Sequence, residues 1–165
     1  MDTYLREWFD EQAIFPPNEI LIAGKSLLQS VNASGWPTPS QMQGRVIFCI
    51  SGTESWKSFY AGLSPATRLC FADLDFSDDS NELKRPADGN RIVANLNLFA
   101  DHFAHWKPAT EQLHELGFLV RGYVINDAKL WQFARQSSVN ILATDQVRGT
   151  TFASVGTGVF GPIIG

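Results

Sequence analysis

Five short runs of continuous apolar residues, at 45–50, 68–76, 91–99, 118–125 and 140–144, constrain this chain more than any other feature. The first, Arg45-Val46-Ile47-Phe48-Cys49-Ile50, is β-branched and aromatic and is bounded by Gly44 and Gly52. A strand with one face in water alternates apolar and polar residues, whereas a strand buried on both faces reads as an unbroken apolar run. Helical spacing fills the gaps between runs: Trp56, Phe59 and Tyr60 within 54–63, Leu113 and Leu116 within 108–116, and Leu130, Phe133 and Ala134 within 127–136. Strand and helix in alternation predict an α/β fold, a mostly parallel sheet covered by helices on at least one face.

Ahead of the first run, Leu5, Trp8, Phe9 and Ala13 recur at helical spacing and predict a helix over 3–12, with Asp2 or Thr3 as its cap. Phe15-Pro16-Pro17 ends it. Leu27, Leu28 and Val31 predict a second helix over 25–32, broken by Gly35-Trp36-Pro37. At the other end, 148–165 is a Gly- and Thr-rich extension with weak periodicity, set apart from a domain over 1–147. A length of 165 residues fits one domain with a real core.

Charge limits the partners. Thirteen Lys and Arg against 17 Asp and Glu leave a net charge of −4, so no basic surplus exists to neutralise a nucleic-acid backbone, and nucleic acid is not expected as a partner. No apolar run approaches the roughly 20 residues of a membrane span, so no transmembrane segment is expected. The first 13 residues are amphipathic and acidic rather than a signal peptide, and the cellular location is unreadable. Cys49 and Cys70 are too few for a disulfide scaffold, lack metal-ligand spacing, and read as two small core residues.

The order of four motifs adds a resemblance. Gly35-Trp36-Pro37, Gly44-Arg45-Val46-Ile47-Phe48, Gly117-Phe118-Leu119-Val120-Arg121 and Ala143-Thr144-Asp145 resemble successive motifs of the calcium-dependent phosphoinositide phospholipase C-like phosphodiesterases. The resemblance runs over 3–147 and matches the C-terminal half of the family domain. It implies the later strands of a TIM-type barrel, with chemistry at their carboxyl ends. It further implies phosphodiester cleavage by two histidines acting as acid and base, beside a calcium ion held by carboxylates. Those histidines and most of the metal ligands belong to the first half of the family domain. On this chain Ser51 stands where the family strand ends in Asp, and Arg121-Gly122-Tyr123-Val124-Ile125 replaces Arg-Thr-Arg-Ala-Asp. Asn95-Leu96 replaces an Asn-Asp pair, while Thr144-Asp145 is kept. Such changes remove charge where a phosphate and a cation need it. No cofactor is therefore expected on this chain, calcium being the family's.

Candidate chemistry narrows to a few side chains. His102 and His105 are expected to face solvent and His114, within a helix, to be structural, so no catalytic residue is assigned. Asp73, Asp75, Asp78 and Asp79 could gather around a cation but read as an acidic loop. Arg121, Asn95 and Asp145 are the expected substrate-binding residues, because an arginine among apolar strand residues is costly to bury unless paired or bound to an anion. Pairing of Arg121 with Asp145 is the structural alternative. Gly156-Thr157-Gly158 lacks the helix of a phosphate loop and reads as flexible.

An incomplete barrel would leave Val46, Phe48, Leu69 and Phe71 partly in water unless covered by a missing N-terminal half-barrel, a second copy of the chain, another protein, or the tail. The expected function is that of a phospholipase C-like phosphodiesterase domain, inactive alone. The alternative is a non-catalytic interaction protein, such as an inhibitor or immunity factor, that binds through its open face.

Overall fold

The computed structural model describes residues 1–76, 89–97 and 103–146. The expectations for His102, Asp78, Asp79, the side chain of His105 and the tail from Val147 onward lie outside them. Five parallel strands follow one another across the sheet in chain order: β1 (Cys49–Ile50), β2 (Phe71–Phe76), β3 (Val93–Asn97), β4 (Leu119–Tyr123) and β5 (Ile141–Leu142). The helices among the described residues are α1 (Asp2–Trp8), α2 (Leu27–Ser34), α3 (Glu54–Ala61), α4 (Phe103–Glu115) and α5 (Ala128–Gln136). The α/β expectation holds. The described residues divide into two compact units, one of 1–74 with 89–93, the other of 75–76 with 94–97 and 103–146.

In the first unit, β1 pairs parallel with β2 in the register Cys49 to Phe71 and Ile50 to Ala72. The core under these strands is Leu5 from α1, Ile14, Tyr60 and Ala61 from α3, and Leu69, Cys70 and Ala72, with Phe48 and Ile50 packed against it. Burial pushes the Cys70 thiol pKa up, so it behaves as a small apolar core group. Cys49, expected in the core, is instead exposed, because β1 is the outermost strand of the order. The first apolar run is strand only at its end. Upstream, Val46 forms an isolated parallel bridge to Ile14, with Phe15 N–H donating to Val46 O at 2.9 Å and Val46 N–H to Ala13 O at 2.8 Å.

The expectation that Val46, Phe48, Leu69 and Phe71 partly meet water holds for Val46 and Phe48 and fails for Leu69 and Phe71. Phe71 is fully buried and Leu69 is 7% exposed, although Val46 remains 44% exposed. The Phe15 ring stacks on Phe71 at 6.4 Å and Trp36 packs against it at 5.8 Å, so the segments on either side of α2 supply the cover. Arg45 fixes the first of these segments by pairing with Glu19, donating to Ile14 O, and lying over the Phe15 ring at 5.1 Å.

The cap of α1 also differs from expectation. Met1 occupies the cap position, and the Asp2 carboxylate accepts from Tyr60 Oη at 2.6 Å and from Leu69 N–H at 3.1 Å. A carboxylate with two buried donors available gains more from them than from solvent-exposed helix amides. Helix α2 begins with a full capping box, Ser26 and Gln29 exchanging side-chain to backbone bonds at 3.2 and 2.9 Å. Gly89 O accepts from Leu28 N–H at 2.9 Å, and Gly89 takes φ +62 with a would-be Cβ only 2.7 Å from Ser26 Oγ.

In the second unit, β4 pairs parallel with β5, Arg121 opposite Ile141 and Gly122 opposite Leu142. Leu113, Phe118, Val120, Ile125 and Ala134 are buried, and Trp106 of α4 meets Phe133 of α5 edge-on at 5.6 Å. The helix expected from Pro108 starts at Phe103 and runs through that proline, forgoing one backbone bond. His114 Nε2 lies 2.7 Å from Asn140 Oδ1, which also accepts from Val120 N–H at 2.8 Å. Oδ1 is an acceptor only, so the imidazole donates there and ties α4 to the residue before β5. Val124, just after β4, takes φ +64, a region β-branched residues rarely enter.

Candidate functional site

Parallel strands direct successive side chains to opposite faces, so residues two apart share one. On β3 these are Asn95 and Asn97, and on β4 they are Arg121 and Tyr123. Arg121 Nη1 donates to Asn95 Oδ1 at 2.8 Å, and its guanidinium carbon lies 5.4 Å from the centre of the Tyr123 ring. Asn95 is 4% exposed. Among the described residues no carboxylate pairs with Arg121, which keeps most of the five donors of its planar fork for another acceptor. Asn97 Oδ1 is buried without a hydrogen-bond partner among the described residues.

Asp145 stands elsewhere. Its carboxylate accepts from Asn126 Nδ2 at 3.1 Å, while Asn126 Oδ1 accepts from Asp145 N–H at 3.0 Å and from Thr144 Oγ1 at 3.1 Å. This clamp shapes the turn after β5, and no hydrogen bond or ion pair joins Asp145 to Arg121. The structure therefore brings Arg121 and Asn95 together and leaves Asp145 with Asn126. Tyr123, Asn97 and Asn126 were missed in the sequence. The first two were detectable only as the i+2 neighbours of Arg121 and Asn95.

A second polar cluster lies in the first unit. Lys57 of α3 is fully buried, and its Nζ lies 3.0 Å from Oδ1 of the buried Asp73, at ion-pair distance without hydrogen-bond alignment, and 3.7 Å from Glu54 Oε2. Glu54 also meets Arg91 Nη1 at 2.5 Å and accepts from Ser58 Oγ at 2.7 Å. The Ser58 hydrogen bond, and after it Arg91 and Lys57, hold the Glu54 carboxyl below its ordinary range against a smaller effect of burial. Asp73, a candidate cation ligand, is thus engaged by a lysine. No group of three or more Asp, Glu, His or Cys side chains converges among the described residues. The described residues therefore do not fit a calcium ion, which needs several oxygen ligands in one place. No helix of the described residues is long and apolar enough to cross a membrane.

Parallel strands in chain order, joined through helices, define an α/β fold. A solved structure of a calcium-dependent phosphatidylinositol-specific phospholipase C from Streptomyces antibioticus is similar to this chain, with a TM-score of 0.64 and 14% identity over 87% of this chain. This chain spans 56% of the length of that one. No family model matches the chain, and no curated protein does.

Proposed function

We propose that this chain is a phospholipase C-like phosphodiesterase domain equivalent to the C-terminal half of such a barrel, in which Arg121 and Asn95 hold the phosphate or polyol of a phosphodiester. The observation that carries the reading is the Arg121 guanidinium, oriented by Asn95 and Tyr123 and left without a carboxylate among the described residues. A guanidinium with open donors on a partly apolar strand matches a phosphate in charge and in planar geometry. Asn97 offers an acceptor two residues from Asn95, suited to a polyol hydroxyl. Asp145 lines the end of β5 in this reading without touching the phosphate.

Cleavage needs groups that give and take protons near neutral pH. His114 is engaged by Asn140 within the second unit, and in this reading the acid-base histidines belong to the half of the barrel that this chain does not match, so the chain alone does not turn over substrate. Isothermal titration with myo-inositol 1-phosphate tests the reading. Binding by the native chain that is lost in Arg121→Ala supports it. Equal binding by both, or by neither, overturns it.

A further inference from the structure

Helices α1 and α3 bury one face each in the same cluster, through Leu5 and through Tyr60 and Ala61, beside Phe48 and Ile50 at the outermost strand. Their other faces are aromatic. Trp56 and Phe59 of α3 are 70% and 69% exposed, and Leu63, just past the end of the helix, is 41% exposed. On α1, Tyr4 and Trp8 are 59% and 70% exposed, their rings 6.1 Å apart. These five side chains expose on the order of 600 Å² of mostly apolar surface, the upper limit for a patch on a soluble monomer and near one partner's share of a stable interface. Helices that border only water carry charged outer faces instead.

We propose that the α1 and α3 faces dock the helices of the portion of a phospholipase C-like barrel that this chain does not match. Two observations favour that occupant over others. The neighbouring phospholipase C chain extends well beyond the 56% matched here, so a barrel of its kind has further strand-helix pairs to place beside an outermost strand. The patch also lies on the two helices whose buried faces pack with Phe48 and Ile50 at the outermost strand, the edge at which a strand-helix series would be extended. The inference rests on the reading of this chain as part of such a barrel.

The probe is the part of the Streptomyces antibioticus chain without a counterpart here, produced as a separate polypeptide, shown to be folded by a cooperative thermal melt, and mixed with the full chain. Light scattering after size exclusion is expected to give a one-to-one complex, weakened at least tenfold by Trp56→Glu with Phe59→Glu. Both positions are exposed, so an unchanged thermal melt shows that the variant folds; Trp8→Glu provides an independent second variant. Absence of a complex, a complex that neither variant weakens, self-association of the chain instead, or binding to phosphatidylcholine vesicles in place of the probe overturns the proposal. Binding of myo-inositol 1-phosphate is measured on the same samples. Its retention without a complex refutes the docking surface alone, and a complex formed by a chain that does not bind it refutes the functional reading alone.

Discussion

Arg121 donates to Asn95 Oδ1 at 2.8 Å, an arginine from one strand held by a neutral amide from another rather than by a carboxylate. An amide orients the guanidinium and leaves its charge uncompensated, so the pair presents a fixed cation to a ligand. A carboxylate in the same place would hold it equally well and cancel that charge.

Asn95→Asp is therefore expected to weaken binding of myo-inositol 1-phosphate more than Asn95→Ala does. The alanine removes the orienting hydrogen bond, worth about 1 kcal/mol, and the aspartate adds an internal competitor for a charged hydrogen bond, about 1.5–3 kcal/mol, or roughly 10- to 150-fold. Titration calorimetry on the two variants reads the order. Asp145→Ala, which disturbs only the Asn126 clamp, is expected to change affinity less than either.

The buried Lys57 and Asp73 pair responds differently to one substitution and to two. Lys57→Met leaves the Asp73 carboxylate buried beside no ammonium, at an expected cost of about 3–5 kcal/mol. Adding Asp73→Leu removes the stranded charge and is expected to recover most of that loss. Urea unfolding of the single and double variants measures both; additive losses would show that the pair is not energetically coupled.

The alternation of strands and helices was legible in the sequence because continuous apolar runs and 3.6-residue spacing are local signals, and all five runs contain a strand. Arg121 and Asn95 were legible as polar residues within such runs, but their pairing was not, since it depends on the register between strands. Register is a property of two segments together. Phe15 and Trp36 gave no sign that they cover Phe71, because each sits in an aperiodic stretch flanking α2, beside Pro16 and Pro37, and their contact with a strand is long-range. Cys49 was misplaced for a related reason: the content of its run fits a buried strand, and only the strand order makes it outermost.

Tyr60 makes stability depend on alkaline pH. Burial and then the Asp2 carboxylate raise its phenol pKa well above the ordinary value of 10.0. In the unfolded chain the phenol ionises near that ordinary value, so its contribution is complete below pH 10 and declines as the pH rises above it. The free energy of unfolding, measured by urea at a series of pH values, is expected to fall above about pH 10. Tyr60→Phe is expected to be less stable at neutral pH, by about 1–3 kcal/mol for the stranded Asp2 and Cys70 N–H partners, and to show a shallower alkaline decline.

Gly89 and Gly24 separate two costs of adding a methyl group. Both have positive φ, +62 and +78, but a Cβ at Gly24 meets nothing within 4 Å, whereas at Gly89 it falls 2.7 Å from Ser26 Oγ and 3.0 Å from Ser26 Cβ. Gly24→Ala therefore carries only the left-handed backbone penalty, about 1–2 kcal/mol. Gly89→Ala carries the same penalty and also displaces Ser26, which caps α2, a cap worth about 1 kcal/mol. Rotating Ser26 away breaks its bond to Gln29 N–H, and shifting Gly89 breaks the bond from Leu28 N–H to Gly89 O. Thermal melts are expected to rank Gly89→Ala below Gly24→Ala, and Ser26→Ala combined with Gly89→Ala is expected to lose less than the two separate changes summed, since the cap can be lost only once. Equal melting temperatures for the two glycine variants would show that the Ser26 contact carries no cost.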